Sequence, residues 1–175
     1  TRVLELQPDT VEAMTGIAIV AYDEKDMETA GQFVEQALSV DPNNKRAWII
    51  KGRLLSDSGK FQEAISAYQK ALEIDPELSM AHSVLGDIYR DRFQWIEARK
   101  HYLRALSLNP NNIEANEQYA QMLWRASHFE EALSYSQIAT DLDPLSWLNL
   151  TVHASLRYVS GDRQGGWEDI QRVMK

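Results

Sequence analysis

Residues 45–78 read KRAWIIKGRLLSDSGKFQEAISAYQKALEIDPEL, and residues 79–112 read SMAHSVLGDIYRDRFQWIEARKHYLRALSLNPNN. Laid one over the other, Gly52 falls on Gly86, Leu55 on Tyr89, Ala64 on Ala98, Tyr68 on Tyr102, Ala71 on Ala105 and Pro76 on Pro110. The same offset runs through the whole chain: its five prolines, Pro8, Pro42, Pro76, Pro110 and Pro144, stand 34 residues apart. A fixed period of this length marks an array in which each repeat is one helix–turn–helix unit that buries its apolar face against its neighbours.

With proline set at position 32 of the unit, the repeats run 11–44, 45–78, 79–112 and 113–146, and a partial repeat occupies 147–175. Residues 1–10 read as the end of a preceding repeat, because Val3-Leu4-Glu5-Leu6-Gln7-Pro8 matches Ala71-Leu72-Glu73-Ile74-Asp75-Pro76. The expectation is therefore a single domain over 1–175 that belongs to a longer array.

Within the frame, repeat two carries Trp48-x2-Lys51-Gly52-x2-Leu55, then Ala64-x3-Tyr68, Ala71 and Pro76. Repeat three carries His82-x2-Leu85-Gly86-x2-Tyr89, then Ala98-x3-Tyr102, Ala105 and Pro110. This pattern resembles the tetratricopeptide repeat family, and the resemblance covers the whole chain. It implies an all-α fold, a right-handed superhelix (an α–α solenoid) of antiparallel helix pairs, each pair being a helix A followed by a helix B.

The spacing has physical reasons. Small residues recur at position 8 (Ala18, Gly52, Gly86, Ala120, Ala154) and at position 20 (Ala30, Ala64, Ala98, Ala132, Gly166), where the paired helices come closest. Proline at position 32 cannot continue helix B and turns the chain. Asn43-Asn44 and Asn111-Asn112 suit N-capping of the next helix A, Asp26 and Asp162 suit capping of helix B, and Gly59 and Gly161 fall in the turn between the two. The reading predicts A helices over 11–24, 45–57, 79–91, 113–126 and 147–159, B helices over 28–40, 62–74, 96–108, 130–142 and 164–175, and no strands. Gly165-Gly166 should weaken the last helix by roughly 1 kcal/mol per glycine relative to alanine, leaving repeat five the loosest.

Composition excludes several functions. Net charge is −8, and no basic stripe suited to nucleic acid is present. No apolar run reaches the roughly 18 residues that read as a spanning helix, so no membrane insertion is expected. The chain has no cysteine, which removes thiol chemistry and cysteine-ligated zinc. A cytoplasmic setting is expected, and the periplasm would suit such a chain equally.

The four histidines, His82, His101, His128 and His153, form no zinc-binding pair. His82 and His153 align with packing positions, whereas His101 and His128 read as surface residues. With no phosphate loop, metal set or acid–base pair, no catalytic residue, cofactor or metal is assigned, and the segment is not expected to be an enzyme.

By resemblance, A helices line a concave groove that holds a peptide or protein segment, through positions 2, 5, 9, 12 and 13 of each repeat. The residues there that fit a partner are Tyr22, Arg53, Asp57, Asp87, Arg90, Gln121, Trp124, Arg125 and Tyr158. Tyr22, Trp124 and Tyr158 either pack between adjacent A helices or form an aromatic shelf. Arg53, Arg90 and Arg125 either pair with Asp57, Asp87 and Asp91 across repeats or select a charged partner.

Charge is banded along the array. Repeat one holds one basic residue against seven acidic, repeat two six against five, repeat three five against three, and repeat four one against six. Two family binding modes fail residue by residue. The lysine–asparagine–arginine clamp of chaperone-tail receptors meets Thr15, Ile19, Ile50, Met80 and Val84, or, one repeat on, Ile49, Arg53, Val84, Glu114 and Gln118. The asparagine ladder of sugar-transferring arrays meets Gly16, Ile50, Val84, Gln118 and Val152.

The function expected is thus a protein-interaction scaffold. Two alternatives stay open: a regulatory or substrate-docking array of a larger enzyme or transcription regulator, and a scaffold that self-associates through open repeat ends.

Overall fold

The structure is a computed structural model that describes residues 10–173. Ten helices and no strand occur among the described residues: α1 Val11–Asp23, α2 Met27–Val40, α3 Lys45–Asp57, α4 Phe61–Ile74, α5 Ser79–Asp91, α6 Trp95–Leu108, α7 Ile113–Arg125, α8 Phe129–Leu142, α9 Trp147–Val159 and α10 Arg163–Val173. Each helix end falls within one residue of its expected place, apart from the end of the last helix, expected at 175, which lies outside the described residues. The half-repeat expected over residues 1–10 lies outside the described residues, except for Thr10.

Helix starts follow the capping chemistry. The side chains of Asn44 and Asn112 each accept from the backbone N–H three residues on, at 3.0 Å. Asp26 does the same for Thr29, and Asp162 for Gly165, also at 3.0 Å. Thr10 and Ser146 cap α1 and α9 in the same way, at 3.2 and 3.3 Å. Each such cap contributes about 1 kcal/mol. Helices α4, α6 and α8 carry Lys60, Gln94 and His128 at the N-cap position, with no side-chain cap hydrogen bond.

Every turn from helix A to helix B uses one left-handed residue at the same place in the repeat. Gly59 and Gly161 take φ of 72° and 103°, and the same conformation falls on Lys25, Phe93 and Ser127, with φ of 65°, 59° and 62°. The turn geometry is therefore set by the helix pair, and glycine is only its least strained occupant.

The chain divides into two compact units, 1–81 and 82–175. In the first, α1 pairs with α2 and α3 with α4, and Ala18, Val34, Ala37, Leu38, Ala47 and Ile50 form a core beneath partly buried Met14, Phe33 and Trp48. In the second, the core joins Ala98, Tyr102, Ala105 and Leu106 of α6 to Ala115, Tyr119, Met122 and Leu123 of α7, with Ala132 and Leu156. Tyr68, Tyr102 and Tyr119 are fully buried and supply most of the aromatic volume.

One sequence reading changes here. Gly165 and Gly166 are more than weak helix formers, because both are buried. A Cβ on Gly166 would stand 2.6 Å from the Ala154 carbonyl oxygen, and one on Gly165 would occupy the space of the Arg157 guanidinium. They let α10 lie directly on α9. Asn116, which stands where tryptophan is usual, also retains that residue's polar contact. Its Nδ2 donates to the Pro110 carbonyl at 2.9 Å, as Trp48 Nε1 donates to that of Pro42 at 2.8 Å.

Candidate functional site

In the first unit, three of the expected residues meet. Tyr22, near the end of α1, donates its hydroxyl to Asp57 Oδ2, at the end of α3, at 2.7 Å. The Arg53 guanidinium lies 5.5 Å from the Tyr22 ring centroid, and Lys25 lies 5.7 Å from it. Burial, and then the Asp57 carboxylate, push the Tyr22 hydroxyl above the usual phenol range, so it stays a donor. The sequence placed these residues one turn apart in repeat phase; the packing of α1 on α3 makes them one set.

Beside the A helices of this unit lies an open cleft of about 540 Å³. Glu12, Thr15, Gly16 and Ile19 of α1 line it, with Asn44, Lys45 and Arg46 at the start of α3 and Ile74 and Asp75 behind. These α1 residues occupy the repeat positions expected to face a groove, joined by Gly16. Lys45 is held by Asp75 at 2.6 Å, whereas Arg46 is exposed at the rim.

In the second unit, Asp87 and Arg90 of α5 are drawn inward. The Tyr102 hydroxyl donates to Asp87 Oδ1 at 2.6 Å, and Arg90 Nη1 donates to the same oxygen at 3.2 Å. Arg90 also donates to the Tyr102 hydroxyl, to Asp91 and to Gln118 of α7, and its side chain is only 15% exposed. Pairing thus runs within α5 and through a tyrosine of α6, a partner that no A-helix pattern could name. Trp124 packs against the core cluster of this unit. Gln121 is half-buried, Arg125 is exposed, and Tyr158 is half-exposed with the Arg163 guanidinium 5.7 Å from its ring.

Histidine placement differs from expectation at one position. His101 is half-buried, stacks on Tyr89 at 5.3 Å, and shares a 3.0 Å Nδ1–Nδ1 hydrogen bond with His82. Burial, and then His82, pull its pKa down to about 4. Asp87 moves oppositely: burial pushes it up to about 6, against the pull of Tyr102 and Arg90.

These shifts predict opposed pH dependences. Asp87 contributes stability below about pH 4 that is lost as pH rises through 6, whereas His101 contributes stability above about pH 6.5 that is lost as pH falls through 4. Asp87→Asn should leave stability rising with pH across this window, and His101→Gln should leave it falling. Each change is about 2 kcal/mol, measured by urea unfolding at a series of pH values.

A serine, a histidine and an aspartate also meet in the second unit, without catalytic geometry. Ser136 is buried and donates to the Leu133 carbonyl at 2.9 Å, His153 Nδ1 lies 3.0 Å from its Oγ, and His153 Nε2 stands 4.0 Å from Asp169. The hydroxyl is shared between the Leu133 carbonyl and His153 Nδ1, and the Nε2 that faces Asp169 is beyond hydrogen-bond distance. Among the described residues, no group of three or more histidines and carboxylates is placed to hold a metal. None of the described helices is long and apolar enough to cross a membrane.

Helix pairs repeating every 34 residues, with this packing of small residues against large ones, define an all-helical repeat protein. Family models described as tetratricopeptide repeat match residues 11–44, 46–78 and 79–112, and the chain belongs to that family. Comparison with curated proteins finds no significant match.

Among solved structures, pilF of Pseudomonas aeruginosa is 22% identical, with a TM-score of 0.85 over 97% of this chain and 78% of that one. YrrB, described as a tetratricopeptide protein with an unusual peptide-binding site, is 22% identical, with a TM-score of 0.71 over 99% of this chain and 89% of its own. MamA of Desulfovibrio magneticus is 18% identical, with a TM-score of 0.77 over 94% and 93%. At these identities the likeness is one of fold.

Proposed function

We propose that the chain is a protein-interaction scaffold that holds a segment of a partner along its A helices, with no catalytic role of its own. The observation that carries this reading is the first unit's A-helix pair, α1 and α3, which lines an open cleft of about 540 Å³ and, further along the same two helices, holds the set Tyr22, Arg53 and Asp57. An aromatic face, a guanidinium and a carboxylate are held together there before any partner arrives, which lowers the ordering cost of binding. Arg46 and Glu12 at the rim add opposite charges that would favour a mixed-charge segment. YrrB, a structural relative with a peptide-binding site, adds support by analogy of fold.

In the second unit, taken by itself, Arg125 and Tyr158 are the exposed members of the expected A-helix set, while Arg90, Asp87, Gln121 and Trp124 are half-buried or paired. Arg90→Ala with Trp124→Ala would therefore disturb packing as well as binding, and Arg53→Ala is the cleaner test.

A photo-crosslinking amino acid at Ile19 or Arg53 should capture a partner from cell extract, and the same group at Gln36 or Gln69 on the exposed faces of α2 and α4 should not. Titration of the captured partner against Arg53→Ala should then show about tenfold weaker binding with unchanged helicity, of the size expected for an interface arginine. Adducts from the B-helix sites alone would place the partner elsewhere and overturn the reading.

A further inference from the structure

The tip of the α5/α6 hairpin departs from its counterparts in the other repeats. At the left-handed turn residue the repeats carry Lys25, Gly59, Phe93, Ser127 and Gly161. Three residues on they carry Glu28, Gln62, Ile96, Glu130 and Gln164. Only this tip places large apolar groups at both positions, and neither is buried: Phe93 is 76% exposed and Ile96 84%, with Trp95 between them at 40%. The Phe93 and Trp95 rings meet edge to face at 5.8 Å. A phenylalanine at φ 59° is strained where glycine would not be, so the turn itself does not require it.

Charge follows the same exception. Arg92 replaces Glu24, Ser58, Ala126 and Ser160 of the other turns, and Lys100 replaces Gln32, Ser66, Ser134 and Glu168. Helix α6 adds Arg99 and Arg104 and holds one acidic residue, Glu97. Arg92, Lys100 and Arg104 are exposed, Lys100 reaching Glu97 only at 3.7 Å, while Arg99 is drawn to the Tyr119 hydroxyl at 3.2 Å. In a chain of net charge −8, this is an exposed apolar tip whose flanking charges are predominantly basic, Asp91 and Glu97 being the acidic residues among them.

We infer that this tip is a contact site for an anionic lipid surface. Phe93, Ile96 and the outer edge of Trp95 enter the headgroup layer, and Arg92 and Lys100 meet the lipid phosphates, with Arg104 adding longer-range attraction from further along α6. A protruding tip of three apolar side chains falls well short of the roughly 800 Å² per partner of a stable protein interface, and a protein would need a pocket shaped to receive it. A bilayer interface accepts a wedge without a complementary pocket, suits the indole ring, and attracts each cation within a Debye length. The contact is peripheral and spans nothing.

The test is co-flotation of the full chain with phosphatidylcholine vesicles, with and without one-third phosphatidylglycerol. The wild type should bind the anionic vesicles at least about tenfold more tightly than the neutral ones, with affinity falling as salt rises. Phe93→Gly with Ile96→Gln, which installs the residues of repeat two, should lose about tenfold or more. It should melt no lower than the wild type, since the left-handed strain is relieved; Ile96→Gln alone is the milder check. Arg92→Ser with Lys100→Ser should remove most of the preference for anionic lipid. Failure of the wild type to bind anionic vesicles, or undiminished binding by the Phe93→Gly, Ile96→Gln variant, overturns the inference. Patch-dependent binding to poly-glutamate in place of vesicles would also overturn it and assign the tip to an acidic protein.

Discussion

Gly86→Leu is expected to lower stability by about 3 kcal/mol or more, which corresponds to roughly 10 °C in melting temperature for a chain of this size. Even the first added atom has nowhere to go, because a Cβ on Gly86 would stand 2.7 Å from two ring carbons of Tyr102. That ring cannot swing aside cheaply. It is fully buried, and its hydroxyl is tied to Asp87 at 2.6 Å and to Arg90 at 3.2 Å. Displacing it would open the core and leave a carboxylate and a guanidinium short of a partner.

The five repeats record the constraint as a volume exchange. Where the small position is glycine, at Gly52 and Gly86, the residue sixteen further on is Tyr68 and Tyr102. Where it is alanine, at Ala18, Ala120 and Ala154, the residue sixteen further on is Val34, Ser136 and Ile170. Gly86→Ala should therefore destabilise by about 1–3 kcal/mol on its own and by less in a Tyr102→Val background, a positive coupling that a double-mutant cycle would measure. Additive losses, or an unchanged melting temperature for Gly86→Leu, would show that the two side chains do not compete for one space.

Arg157→Met is expected to cost about 3 kcal/mol at neutral pH, by stranding a buried charge. Asp169 of α10 keeps a side chain only 8% exposed, and Arg157 of α9 donates to it at 2.8 Å while also holding Asp162 at 2.6 Å. Without Arg157, the remaining neighbours of Asp169 are the exposed Arg172 at 3.6 Å and the Nε2 of His153 at 4.0 Å. Burial holds His153 below the ordinary imidazole range, the Asp169 charge opposes that, and the Arg157 charge adds to it. Loss of Arg157 should then raise the His153 pKa. Relative to the wild type, a higher folded His153 pKa favours the variant below that pKa, an advantage lost as pH rises through it. The variant's loss relative to the wild type should accordingly be smaller at pH 5 than at pH 7.5. Arg157→Met with Asp169→Leu should recover more, because no charge is left buried. Urea unfolding of the three proteins at pH 5 and pH 7.5 checks this; equal losses at both pH values would show that His153 does not respond to Asp169.

Much of the fold was legible in the residues, and the reason is local. Proline spacing, the small residues at two repeat positions, and Asn44, Asn112, Asp26 and Asp162 as caps all act within one or two turns of chain, so their meaning survives without a third dimension. The candidate site was legible only as a set of positions. Repeat phase brought Tyr22, Arg53 and Asp57 into one neighbourhood, but it could not show that Arg90 turns inward to Tyr102 and Gln118, or that Trp124 leans on the core. His101 was misplaced because its partner, His82, lies on the preceding helix, and helical periodicity does not register a neighbour nineteen residues away. The Phe93, Trp95 and Ile96 tip is not legible in the sequence, because apolar residues at a helix start look like core until their exposure is seen.

By itself, then, the sequence determined the repeat length, the order of helix pairs, where each helix begins and stops, and which positions must stay small. Only the tertiary structure decided which polar groups satisfy one another. Tyr22 and Asp57 are 35 residues apart in the chain yet 2.7 Å apart in space, and Ser136, His153 and Asp169 come from three different helices. Gly165 and Gly166 changed meaning for the same reason. Their cost to the helix is a property of the local chain, whereas the close approach of α10 to α9 that they permit exists only once two helices have been laid side by side.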